Sequence, residues 1–168
     1  FEKVATGIAF PEGLRIDDDG TLYFSDVMLG GVHARRSDGA VTTIIPDRKW
    51  IGGLALDASG GVIASGHGGL WYGHPQTGDA RPLLTEIAGA PINAVNDIQP
   101  DGKGGLWFGT YDGAGLLAGR APEAGALHRL DPDGRVTTLA DCISMSNGMG
   151  TSPDGKRLYH SRTFEGLF

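Results

Sequence analysis

Four stretches of the chain align with one another without a gap: "GLRIDDDGTLYF" from Gly13, "GLALDASGGVIA" from Gly53, "DIQPDGKGGLWF" from Asp97 and "GMGTSPDGKRLY" from Gly148. Their starts lie 40, 44 and 51 residues apart. Each reads as a short strand, an Asp/Gly turn ("DDDG", "DASGG", "DGKGG", "SPDGK") and an apolar or aromatic strand. Further strand segments fill the intervals: "GVHARR" and "VTTIIP", "GLWYGH" and "RPLLTEI", "ALHRLD" and "RVTTLA". Four strands in each unit of this length is the sequence pattern of propeller blades. Sandwich strands do not recur at a constant period. The expected fold is therefore all-β: a β-propeller of four-stranded blades, in one partial domain over residues 1–168. The chain holds three full blades and the start of a fourth. Closed propellers have about four to eight blades, so these residues are expected to form part of a larger ring. The chain opens at Phe1 without Met and breaks off in mid-pattern at "FEGLF".

The rest of the composition excludes several classes. With 40% hydrophobic and 20% charged residues the chain can fill a core, unlike a disordered one. Its 29 glycines suit many tight turns between short strands. The net charge is −6, and basic residues pair up only at Arg35-Arg36, Arg48-Lys49 and Lys156-Arg157. Phosphate backbones want a basic stripe, so nucleic acid is not an expected partner. No apolar run reaches the roughly 18 residues of a membrane helix, and a cytoplasmic location is expected. A single cysteine, Cys142, allows no internal disulfide and no Cys-based zinc site; beside Ile143 it reads as a small buried hydrophobe. The best helical candidate, "RAPEAGALHRL", is weakened by Pro122 and Gly125. "GAGLLAG" lacks the helical context of a dinucleotide fingerprint, and no G-x-S-x-G, H-E-x-x-H or P-loop occurs.

The residue before each aligned block forms a column: Glu12, Gly52, Asn96, Asn147. The first strand of each propeller blade lines the central channel, so these positions converge at one mouth. A carboxylate and two amide oxygens suit a hard divalent cation. Such an ion polarises a carbonyl and acidifies water. One polar residue in such a place reads as turn chemistry; three in one repeat column read as a site. Gly52 in that column indicates that the fold does not itself demand a polar side chain there. Asp97 either orients Asn96 or a bound water, or caps a turn.

The ordered set "FPEGLRID", "GTLYFSD", "GGLALD", "VNDIQPDGKGGLWFGT", "GALHRLDPDG" and "SNGMGTSPDGKRLYHS" resembles the regucalcin/gluconolactonase (senescence-marker-protein) family of six-bladed propellers. That resemblance implies metal-dependent hydrolysis of a sugar lactone or related cyclic ester. Glu12 matches the family's metal-binding Glu, Asn147 its metal-binding Asn, and Asn96 the Asn of the "ND" motif that touches metal or substrate. Asn96 and Asp97 are the catalytic candidates; Glu12, Asn96 and Asn147 are the metal candidates. The implied cofactor is one divalent ion, Ca²⁺ first, with Mg²⁺, Mn²⁺, Zn²⁺ or Fe²⁺ as alternatives. The implied partner is a small-molecule lactone. The family's further metal-binding Asp falls after residue 168. Ala94 stands where some members carry an Arg for sugar hydroxyls, and "SRT" with Arg162 replaces an "ADS"-like turn. The rival reading is a non-enzymatic propeller that binds calcium or serves as a protein platform.

Among the remaining candidates, His67 of "SGHGGLWYGH" is placed to face the mouth. His33, His74, His128 and His160 read as ordinary strand histidines. Trp71, Trp107 and Tyr111 read as packing between blades, and the insertion from Tyr111-Asp112 as a loop that covers the site.

Overall fold

The computed structural model describes residues 3–166. Within them, the first blade is an antiparallel sheet of β1 (Pro11–Ile16), β2 (Leu22–Asp26), β3 (Val32–Arg35) and β4 (Val41–Ile45), paired in chain order. The second runs β5 (Leu54–Leu56) and β6 (Val62–Ala64), then, past the two-residue β7 (Gly66–His67), β8 (Leu70–Gly73) and β9 (Ala80–Leu84). A small hairpin of β10 (Glu86–Ile87) and β11 (Ala90–Pro91) leads on. The third blade is β12 (Ala94–Pro100), β13 (Leu106–Tyr111), β14 (Gly125–Leu130) and β15 (Val136–Ile143), and a fourth begins with β16 (Ser146–Thr151) and β17 (Leu158–Arg162). β1, β5, β12 and β16 pack against one another in that order, as innermost strands do around a channel. No helix of the described residues is long and apolar enough to cross a membrane.

The repeated Asp/Gly turns have one mechanism. Asp17, Asp57 and Asp101 each accept backbone N–H groups two residues on: Asp19 at 3.1 Å, Ser59 at 2.9 Å and Lys103 at 2.7 Å. Such side-chain turns compete with regular pairing and so reverse the chain. Gly20, Gly60 and Gly155 close the first, second and fourth turns with φ of +79°, +88° and +68°. Their N–H groups donate to Asp17, Asp57 and Ser152 at 2.9–3.0 Å. At these positions only glycine is unstrained.

The apolar faces of neighbouring sheets meet to form the core. Val32, Ile45, Ile51, Leu54 and Val62 pack between blades one and two, and Leu70, Val95, Ile98 and Phe108 between blades two and three. Each sheet alone would leave such a face wet, which is why blades are stable only as neighbours.

The structure corrects several expectations. "RAPEAGALHRL" is not helical; its second half is β14. The α-helix among the described residues, α1 (Gly113–Leu117), lies instead in "GAGLLAG". Its N-cap, Asp112, accepts the Gly115 N–H at 2.8 Å. "RPLLTEI" breaks after Leu84, and Glu86-Ile87 turns into the small hairpin. Cys142 is exposed rather than buried. It sits in an irregular part of β15 with φ +57°, between the register pairs Leu127↔Ala140 and Gly125↔Ile143, so its neighbour Ile143 takes the inward place.

Asp26 is buried at the end of β2. It accepts the N–H groups of Ala9 at 2.7 Å, Leu29 at 2.9 Å, Met28 at 3.0 Å and Phe10 at 3.4 Å, so it also anchors the segment leading to Glu12. Burial resists its ionisation, but the four donors outweigh it and hold the carboxyl below the ordinary aspartate value. Its folded pKa is thus lower than its unfolded one. The stability it contributes is complete above the unfolded value of about 4 and is lost as pH falls through the lowered folded value. Asp26→Asn is expected to cost about 1–2 kcal/mol at neutral pH. It should also flatten the acid limb of stability measured by urea unfolding against pH.

Candidate active site at the channel mouth

Each inner strand that carries a polar residue of the repeat column is bulged there. Register slips between Glu12 and Arg15 in β1, between Val95 and Ile98 in β12, and between Asn147 and Met149 in β16. A bulge frees residues from the ladder and re-aims their side chains. That explains why weak strand formers such as Asn96 and Asp97 open a strand: they occupy its irregular part.

The structure brings these residues together. Asn96 Nδ2 donates to the Ser146 carbonyl at 2.9 Å and to Asn147 Oδ1 at 3.2 Å. Asp97 Oδ2 accepts the Gly148 N–H at 2.6 Å, and Asn147 Oδ1 accepts the same N–H at 3.1 Å. Blade three thus grips blade four at the column. Asn96 presents its amide nitrogen, not its oxygen, to Asn147, while its Oδ1 faces Gly52: a Cβ on Gly52 would stand 2.0 Å from that oxygen. The glycine in the column is therefore space for Asn96, a meaning that the column alone does not carry.

Glu12 and Asp97 are partly buried and electrostatically coupled. Burial raises the Glu12 carboxyl above its ordinary value, and the Asp97 charge raises it further. Burial raises Asp97 as well, against the Gly148 hydrogen bond and the Arg15 charge, which lower it. Two partly desolvated carboxyls beside two amides make an oxygen-rich cluster whose negative charge a divalent ion would relieve. By donor chemistry the residues fit such an ion. Among the described residues no three His, Cys, Asp or Glu side chains group to hold a metal, so amide oxygens must complete the set.

Residues 10–167 match the family described as the SMP-30/Gluconolactonase/LRE-like region.

The chain belongs to the SMP-30/gluconolactonase/LRE-like family.

It is 32% identical over 146 residues to the 6-deoxy-6-sulfogluconolactonase of Pseudomonas putida, an overlap covering 84% of this chain and 47% of that one. A solved gluconolactonase from Xanthomonas campestris is 27% identical with a TM-score of 0.82, covering 95% of this chain and 56% of that one. Regucalcin from Agrobacterium tumefaciens, a calcium-binding protein, is 25% identical with a TM-score of 0.76, covering 95% and 52%. The chain thus spans about half the length of these relatives, and its fold is the β-propeller of gluconolactonases and regucalcin.

Around this mouth the other candidates divide. His67 reaches the mouth by a route that the repeat does not show: β7 leaves blade two and pairs with β12, Ala94 opposite His67 and Val95 opposite Gly66. β12 already pairs with β13 on its other edge, so β7 lies on its channel side. The signal was the glycine-rich "SGHGG", whose Gly66, Gly68 and Gly69 all have positive φ. His160 bonds Ser146 Oγ at 2.8 Å, and His128 stacks on Phe108 at 5.0 Å. Trp71 lies under Arg48, 5.2 Å from its guanidinium carbon. The loop after Tyr111 is tied down by Asp112, which binds Asn93 at 3.1 Å, the Glu123 N–H at 3.0 Å and Arg120 at 2.7 Å. Arg162 donates to the Cys142 carbonyl at 2.7 Å and pairs with Glu165 at 2.6 Å, which shapes its turn.

Proposed function

We propose that this propeller mouth hydrolyses a lactone with the help of one divalent ion. The observation that carries the reading is the convergence of Glu12, Asn96, Asp97 and Asn147 from three different sheets. Family membership supports the reaction class, since relatives of similar sequence are named lactonases.

Glu12 Oε and Asn147 Oδ1 would hold the ion, with Asn96 beside them. When bound, the ion would polarise the lactone carbonyl and acidify a water. Asn96 fixes the Asn147 amide through its 3.2 Å hydrogen bond. Asp97 holds the Gly148 peptide with Oδ2, leaving Oδ1 without a protein partner among the described residues. That oxygen can orient the attacking water and accept its proton, a role favoured by its raised pKa. The water oxygen bonds to the carbonyl carbon and the ring C–O bond breaks. The proton then passes from Asp97 to the departing ring oxygen, giving a hydroxy acid.

Calcium is the leading ion, because regucalcin is a calcium-binding protein and the donors are oxygens. The test is to strip the full-length protein with a chelator and follow acid release from a lactone panel as Ca²⁺, Mg²⁺, Mn²⁺, Zn²⁺ or Fe²⁺ is returned. Turnover that ignores both stripping and return overturns the metal role. The second reading, a calcium-binding propeller without catalysis, rests on the same regucalcin likeness; it predicts tight Ca²⁺ binding and no turnover of any lactone.

A further inference from the structure

Pro46, Asp47, Arg48, Lys49, His67 and Trp71 line a cavity of about 400 Å³ between the first two blades. It adjoins the site through His67. That residue faces Ala94 on β12, two positions before Asn96. With strands about 4.8 Å apart and about 3.3 Å per residue along them, the His67 and Asn96 backbones are about 8 Å apart. A six-carbon lactone can bridge that gap.

The cavity is positively charged and its cations are not neutralised by the protein. Arg48 and Lys49 make no ion pair among the described residues. Asp47 is the only acidic residue in the lining, so one net positive charge remains. Arg48 donates Nε to the Ser65 carbonyl at 2.9 Å and Nη2 to the Gly69 carbonyl, and lies over the Trp71 ring. Nη1 has no protein partner among the described residues. Burial lowers the pKa of this guanidinium to about 10.

The segment is held in place rather than draped. Gly31 donates to the Arg48 carbonyl at 2.8 Å, and His67 donates to the Lys49 carbonyl at 3.4 Å. Asp47 and Trp50, on either side of the two cations, take φ of +57° and +62°. A bulky residue such as Trp is an outlier there, and strained backbone of this kind collects at ligand sites. Trp50 also meets the His67 ring edge-on at 5.9 Å. A half-buried guanidinium on an aromatic face, an ammonium and an imidazole together recognise an oxyanion.

We propose that this cavity is the subsite for an anionic substituent, a sulfonate or a carboxylate, on the substrate that binds at the Glu12 and Asn147 mouth. The proposal rests on the lactonase reading for its substrate, but the anion subsite has its own readout.

The experiment has two arms on the full-length protein. In the first, methanesulfonate is titrated while the indole N–H resonances of Trp50 and Trp71 are followed. Saturable shifts in the wild type that vanish in Lys49→Glu support the subsite whether or not any lactone is turned over; their absence in the wild type overturns it. In the second, kcat/KM is compared for gluconolactone and for its 6-sulfonated analogue. Lys49→Glu is expected to lower the value for the charged lactone by about tenfold and to leave the neutral one within about twofold. Equal losses on both substrates overturn the proposal. Lack of turnover of either lactone by the wild type, with the indole shifts intact, sinks the lactonase reading and not the subsite. Lys49 is chosen because it is exposed and makes no fold contact of the kind that Arg48 makes; circular dichroism of the variant confirms that it folds.

Discussion

Glu12→Gln is expected to lower kcat/KM for a lactone by about two to three orders of magnitude, the size of effect seen when one charge-stabilising group is removed from a hydrolytic site. The substitution keeps the shape and one oxygen but deletes the charge. Of the residues that converge at the mouth, Glu12 is the carboxylate assigned to the ion, and Asn147 supplies only an amide. Loss of that charge should weaken ion binding as well as turnover. Stability should change little, because Glu12 sits at a bulge and is half-exposed. The measurement is lactone hydrolysis across a range of added Ca²⁺, with thermal unfolding of both proteins alongside. Undiminished turnover would remove Glu12 from the site and with it the ion's carboxylate ligand.

The second large effect is expected at a residue that performs no chemistry. Gly52→Ala places a methyl group where Asn96 Oδ1 now lies, 2.0 Å away. Asn96 must move, and its hydrogen bonds to Ser146 and Asn147 must lengthen or break. Misplacement by about 1 Å can cost on the order of 100-fold in rate, so kcat should fall by about 10- to 100-fold. Overpacking at such a site costs about 1–3 kcal/mol of stability. Asn96→Ala in the Gly52→Ala background separates the two contributions. If the methyl acts by pushing Asn96, the double variant should regain stability while its activity stays low. A Gly52→Ala protein with full activity would show that Asn96 need not hold its observed place.

Much of this was legible in the sequence because repeats turn one turn motif into several observations. Asp17, Asp57 and Asp101 each do the same hydrogen bonding, and that regularity lets "DDDG" and "DGKGG" be read as one device. The column of Glu12, Asn96 and Asn147 was legible for the same reason. What escaped was local or tertiary. β7 has two residues, too few for any periodicity, and exists because β12 offers it an edge. α1 has five residues and depends on Asp112, whose capping role cannot be told from that of any other Asp. Cys142 looked apolar by its neighbour, but an irregularity in the strand reverses which residue faces inward. Gly52 looked like an exception to the column when it is the cavity into which Asn96 fits, a fact that belongs to two blades at once.

The bulges have a further consequence for how such a mouth can change. Elsewhere in a strand, a new side chain must satisfy a partner across the ladder and a face of the sheet together. Asn96 stands where register is already broken, and Glu12 and Asn147 hold the last pair before a slip, opposite Ser25 and Ser161, so strand pairing constrains these positions less than it does a regular one. Chemistry at the mouth can be rewritten one residue at a time while the blades continue to stack, and the irregular turn of each inner strand is what gives a rigid ring an editable rim.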